Sequence, residues 1–119
     1  MARILIVDND SQLRRTLGLA LSVRGYEIIE SANGADTLRL IKTAHPDRVV
    51  LDWQMPGMDG LQTCLAIRAS DELSTQTVPI IACSSVDRGD EAISAGASDF
   101  IRKPFDIADL VDRISAALR

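Results

Sequence analysis

Five short apolar runs alternate with segments whose apolar residues recur at helical spacing, and this alternation constrains the fold more than any other feature of the chain. The runs are Ile4-Leu5-Ile6-Val7, Tyr26-Glu27-Ile28-Ile29-Glu30, Val49-Val50-Leu51, Val78 to Cys83, and Phe100-Ile101. Short β-branched runs without polar alternation suit strands buried on both faces of a parallel sheet. The second run is more polar, which places it near a sheet edge. Pro79 opens the fourth, where a missing N–H is tolerated.

Helical stripes separate the runs. Leu13, Leu17 and Leu21 are spaced i, i+4, i+8, with Gly25 as a stop. Ala35, Leu38, Ile41 and Ala44 form a second stripe, followed by Pro46. Leu61, Cys64, Leu65 and Arg68 form a third, with Asp59 as its N-cap. Arg88 to Ala95 is a fourth, ending near Gly96, and Ile107, Leu110, Val111, Ile114 and Leu118 form a fifth, capped by Asp106. Five strands alternating with five helices imply right-handed βαβ units and a three-layer, doubly wound α/β fold. No internal linker interrupts the pattern, and Ser70 to Thr77 is the longest polar connection. Residues 1–119 therefore read as one domain.

Composition narrows the function classes. The 119 residues are 46% apolar and 25% charged, ordinary globular values that exclude disorder and collagen-like repeats. The net charge of −4 and scattered basic residues argue against direct binding of DNA or RNA, which needs clustered positive charge. No apolar stretch is long enough to cross a membrane. Met1-Ala2-Arg3-Ile4 starts without a signal-peptide pattern, so a cytoplasmic location is expected. Cys64 and Cys83 lack partner spacing and read as reduced core thiols rather than a disulfide scaffold.

In open α/β sheets, functional residues collect at the carboxyl ends of the strands. Asp8-Asn9-Asp10 follows the first strand, Asp52 the third, Ser84-Ser85 the fourth and Lys103-Pro104 the fifth. Loops are polar in general, and Asp10 and Asp59 read simply as helix caps. Asp8, Asp52, Ser84 and Lys103 are different, because each stands directly after its apolar run on the same side of the sheet. Two neighbouring carboxylates raise each other's pKa unless a cation lies between them. An oxygen-only set suits a hard cation such as Mg²⁺, while a lysine and a hydroxyl can hold phosphate oxygens. The constellation reads as a site that takes a phosphoryl group onto a carboxylate with divalent-metal assistance.

Ile4-Leu5-Ile6-Val7-Asp8, the stretch from Asp52 to Gly60 (DWQMPGMDG), Ser84-Ser85 and Lys103-Pro104-Phe105 together resemble the receiver domain of bacterial two-component response regulators. The resemblance runs the length of the chain and implies a flavodoxin-like strand order of 2-1-3-4-5. It implies Asp52 as phosphoacceptor, with Lys103 and Ser84 beside the phosphoryl group. It implies Asp8, Asn9, Asp52 and the backbone carbonyl of Gln54 as ligands of Mg²⁺ or Mn²⁺. Ser84 and Phe100 stand at the switch positions, Ser85 where a small residue admits the donor, and Gln54 and Val86 where the family sets dephosphorylation. The Lys103–Pro104 bond is commonly cis in the family. Implied partners are a histidine kinase or phosphotransfer protein as donor and a downstream protein at the face formed by the fourth helix, fifth strand and fifth helix. Catalysis is limited to self-directed phosphoryl transfer and its reversal by water.

Asn9 departs from the family pattern, which has a second acid there. The site then holds two negative charges rather than three, which predicts weaker metal binding. A degenerate receiver, signalling without phosphorylation, is the alternative this raises. Asp8-Asn9-Asp10 after a strand also resembles the first motif of haloacid-dehalogenase-type phosphatases, with Asp8 as nucleophile; Gln12 departs from that motif and Asp52 is left unexplained. A flavodoxin-like flavin binder is a third option, but Asp8 and Asp10 would repel its phosphate. Among single residues, Trp53 reads as a partly exposed aromatic, His45 as a solvated loop residue, and Met55 and Met58 as structural. Asp87, Asp90 and Glu91 read as a solvated helix start, or as part of a partner surface.

Overall fold

A computed structural model describes residues 2–117. The apolar runs become five strands: β1 (Arg3–Val7), β2 (Glu27–Ser31), β3 (Arg48–Asp52), β4 (Ile80–Ser84) and β5 (Asp99–Arg102). All four pairings are parallel and the order is β2-β1-β3-β4-β5. The more polar β2 lies at an edge, as its sequence predicts. Each strand alternates between two apolar layers. Leu5, Val7, Val49, Leu51, Ile80 and Ala82 pack on one side of the sheet, and Ile4, Ile6, Val50, Ile81, Cys83 and Ile101 on the other.

Helices cover both layers. Leu17 and Leu21 of α1 (Ser11–Val23) and Leu110 and Ile114 of α6 (Ile107–Ala117) close the second layer. Ile41 of α2 (Gly34–Ala44), Cys64 and Ile67 of α3 (Gly60–Arg68) and Ala92 of α5 (Gly89–Ser94) close the first. Leu118, the last residue of the predicted stripe, lies outside the described residues. Both cysteines are buried and unpaired.

Local chemistry sets the helix starts. The Asp10 side chain accepts the Gln12 and Leu13 N–H groups, and Asn33 accepts from Asp36. Asp59 and Gln62 form a reciprocal capping box. The Asp106 carboxylate accepts from Ala108 N–H at 3.3 Å. One expectation needs correcting: the described residues form six helices rather than five. Leu73–Gln76 forms a single extra turn, α4, inside the predicted polar connection. Buried Thr75 pins this turn, and Arg68 fixes its end by donating to the Gln76 and Val78 carbonyls. A single turn of four residues carries no periodicity from which to predict it.

Candidate functional site

Parallel strands deliver their carboxyl ends to one edge, and that edge gathers the predicted residues. Asp8 follows β1 and is held at every polar atom. Its N–H donates to the Ser31 carbonyl at 3.1 Å, and its carbonyl accepts from Arg14 Nη1 at 2.6 Å. Its Oδ1 accepts from the Asp10 N–H at 2.9 Å, and its Oδ2 from Lys103 Nζ at 2.8 Å. Asp52 is the last residue of β3. Its Oδ1 lies 3.3 Å from the same Lys103 Nζ. One ammonium thus bridges the two carboxylates, leaving a formal charge of −1 in a largely buried cluster. The Asp52 side chain is 6% exposed and that of Lys103 22%.

Burial, reinforced by the Asp8 charge, raises the Asp52 pKa, and Lys103 opposes the rise. Burial alone would lower Lys103. The hydrogen bond it donates to Asp8 and the surrounding negative groups outweigh it, so the ammonium is held above its usual range. Cys83, one position along β4 from Ser84, is pushed up to about 12 by burial, so its thiol adds no charge.

The loops complete the rim. Ser84 ends β4, fully buried, and its Oγ accepts from the Val86 N–H at 3.1 Å. Exposed Ser85 donates to Gln54 Oε1 at 3.1 Å, a side-chain bridge between the loops after β3 and β4. The Lys103–Pro104 bond is cis. Asn9 is exposed beside Asp8. Phe100 sits away from the carboxylates, half-buried against the layer covered by α2, α3 and α5. Among the described residues, no three His, Cys, Asp or Glu side chains come together as metal ligands. Two carboxylates, with the Asn9 amide next to Asp8 and the Gln54 carbonyl two residues after Asp52, still suit a hard divalent cation that takes one or two carboxylates plus water. Asp10 is occupied as the α1 cap, as its sequence position predicts.

Two residues read as bland are not. Trp53 is 4% exposed rather than partly exposed, because it packs among Met55, Leu51 and the α3 and α5 side chains. Its indole Nε1–H donates to Glu91 Oε1 at 2.6 Å, so Glu91, though partly solvated, is also tied to the core. Arg14 was not singled out. It fixes the Asp8 carbonyl and pairs with Glu30 at 3.1 Å. The available signal was its place one turn after the Asp10 cap, on the helix that starts at this rim.

Residues 4–115 match the family model described as the response regulator receiver domain. The chain belongs to that family. It is 39% identical over 117 residues to the transcriptional regulatory protein PrrA of Mycobacterium tuberculosis, covering 98% of this chain and 50% of PrrA. The chain thus spans about half the length of the curated relatives it matches. The chemotaxis protein CheY4 of Vibrio cholerae superposes with a TM-score of 0.91 at 26% identity, covering 99% of each chain. The signal receiver domain of a signal transduction histidine kinase from Syntrophus aciditrophicus gives 0.89 at 26% identity, covering 99% of this chain and 90% of that one. The receiver family is a two-component signalling family, and the strand order is that of its flavodoxin-like fold. No helix among the described residues is long and apolar enough to cross a membrane.

Proposed function

We propose that residues 1–119 are one phosphoacceptor receiver domain and that Asp52 is the acceptor. The observation that carries this is the Lys103 ammonium bridging Asp8 and Asp52. The cluster has the cation that a new phosphoryl group needs and a carboxylate to attack with. The donor is the phosphohistidine of a histidine kinase or phosphotransfer protein. An Asp52 carboxylate oxygen attacks phosphorus in line, the P–N bond breaks, and a neutral imidazole leaves after taking a proton. Lys103 then turns from the carboxylates toward the phosphoryl oxygens, and the Ser84 hydroxyl exchanges its contact with the Val86 N–H for one with the phosphoryl group. Phe100 moves into the space this releases, changing the face of α5, β5 and α6 that meets a downstream protein. Asp8, Asn9, Asp52 and the Gln54 backbone carbonyl would hold Mg²⁺ or Mn²⁺, which when bound supplies positive charge to the transferring oxygens. Water reverses the modification, and the Gln54–Ser85 bridge stands where it can limit that attack. No other substrate is turned over, and the setting is the cytoplasm.

Acetyl phosphate with excess Mg²⁺ tests this. Intact-mass spectrometry is expected to show one added phosphoryl group on the wild type and none on Asp52→Ala. A wild type that stays unlabelled, also with cognate kinase, would replace this reading with the degenerate receiver that Asn9 suggests.

A further inference from the structure

Helix α5 is a short element held unequally at its two ends. Only Ala92 within it is buried, and Ile93 is half exposed. Its carboxyl end is pinned by two side chains. Cys64 Sγ donates to the Ala95 carbonyl at 3.4 Å, and Arg68 Nε donates to the Gly96 carbonyl at 2.8 Å. The same guanidinium also holds the Gln76 and Val78 carbonyls. Among the described residues its amino end has one side-chain hydrogen bond to the rest of the fold, the 2.6 Å bond from the Trp53 indole to Glu91. Arg88 flanks the same carboxylate at 3.7 Å. Trp53 adjoins Asp52 in the chain and cannot yield. Its N–H donates to the Cys83 carbonyl at 2.8 Å, and its carbonyl accepts from the Gly60 N–H at 3.1 Å.

From this asymmetry we infer that Glu91 is a latch: the Trp53–Glu91 bond holds the amino end of α5 in the resting position, and release of that bond lets the helix swing about the end fixed by Arg68. The inference rests on the phosphoacceptor reading for its trigger and adds the contact that opposes the change. Ser84 and the residues to Arg88 lead straight into α5, so a Ser84 hydroxyl drawn toward Asp52 pulls on the latch while the indole stays in place. Gly89, the first residue of α5, lies against the Phe100 ring, with a Cβ built there standing 3.5 Å from Cδ2. Movement of α5 therefore opens or closes the space beside Phe100. A contact made only in the resting state must, by linkage, lower affinity for whatever stabilises the other state.

The test uses beryllofluoride as a phosphoryl mimic with Mg²⁺, on wild type, Glu91→Gln and Glu91→Leu, with circular dichroism to confirm folding. Glu91→Leu is expected to bind beryllofluoride roughly three- to tenfold more tightly, the range of one charge-assisted hydrogen bond discounted for a partly exposed carboxylate. Its resting Trp53 emission is expected to resemble that of beryllofluoride-bound wild type, with Glu91→Gln in between. Unchanged affinity together with unchanged resting emission overturns the latch. Bound beryllofluoride is followed by fluorine NMR, independently of the indole, so a wild type that binds none overturns the acceptor reading instead. Hydrogen exchange in the resting protein then still decides the latch. Glu91→Leu must speed exchange in Gly89–Ser94 and spare α3, and equal exchange refutes it.

Discussion

At residue 9 an amide replaces an acid, and the cost is electrostatic. The resting cluster of Asp8, Asp52 and Lys103 carries one net negative charge, a weak attraction for a divalent cation. Asn9→Asp should tighten Mg²⁺ binding by about tenfold or more, given about 1 kcal/mol for a unit charge at roughly 4 Å in water and several times that in a partly buried site. Titration followed by Trp53 fluorescence would measure it. Asp52 itself works against folding. Its pKa is raised by burial and by Asp8, so the folded state favours the protonated form more than the unfolded state does. The carboxylate therefore lowers stability at neutral pH, and this penalty fades as pH falls through the carboxylate range. Asp52→Asn should melt a few degrees higher than wild type at pH 7, and the gap should narrow in melts recorded near pH 4. Asp8 and Asp52 were legible because each directly follows an apolar run, and Lys103 because it stands just past the last one. Glu91 and Arg14 were not, because their roles depend on partners, Trp53 and the Asp8 carbonyl, that are distant in sequence or lie on the main chain.

Among the elements, the turn from β3 into α3 is the most tightly specified. A Cβ on Gly60 would stand 2.4 Å from Trp53 Cα and 2.5 Å from the Asp52 carbonyl oxygen, and both are backbone atoms that cannot step aside. Gly60→Ala must therefore displace the segment that carries Asp52, the proposed acceptor. We expect a loss of roughly 1–3 kcal/mol, as for overpacking in a dense interior, read by urea denaturation, together with slower labelling of Asp52 by acetyl phosphate. The strands, the long helices and the caps at Asp10, Asp59 and Asp106 could be read from the chain because local pattern and tertiary packing agree there. The α4 turn could not, since Thr75 and Arg68 hold it by contacts that no local pattern encodes.

For the molecule as a whole, stability and chemistry reside in separate places. The layer of Leu17, Leu21, Leu110 and Ile114 lies on the face covered by α1 and α6, and Leu110 is fully buried. Leu110→Ala should cost roughly 2–5 kcal/mol in urea unfolding, while labelling of Asp52 under native conditions stays close to that of wild type. The layered parallel architecture follows from the alternation of runs. The strand order does not; it comes with the resemblance to the receiver family, and right-handed crossovers in that order then fix which helices share a face. The position of Lys103 carries a wider consequence. β5 is an edge strand, paired only with β4, yet the lysine just beyond it reaches back past β4 to the acids of β3 and β1. The ammonium acts as a gauge of strand alignment: fraying or slippage of this outermost strand withdraws it and leaves two carboxylates facing each other uncompensated. Signalling competence should then fail on heating before the central strands come apart.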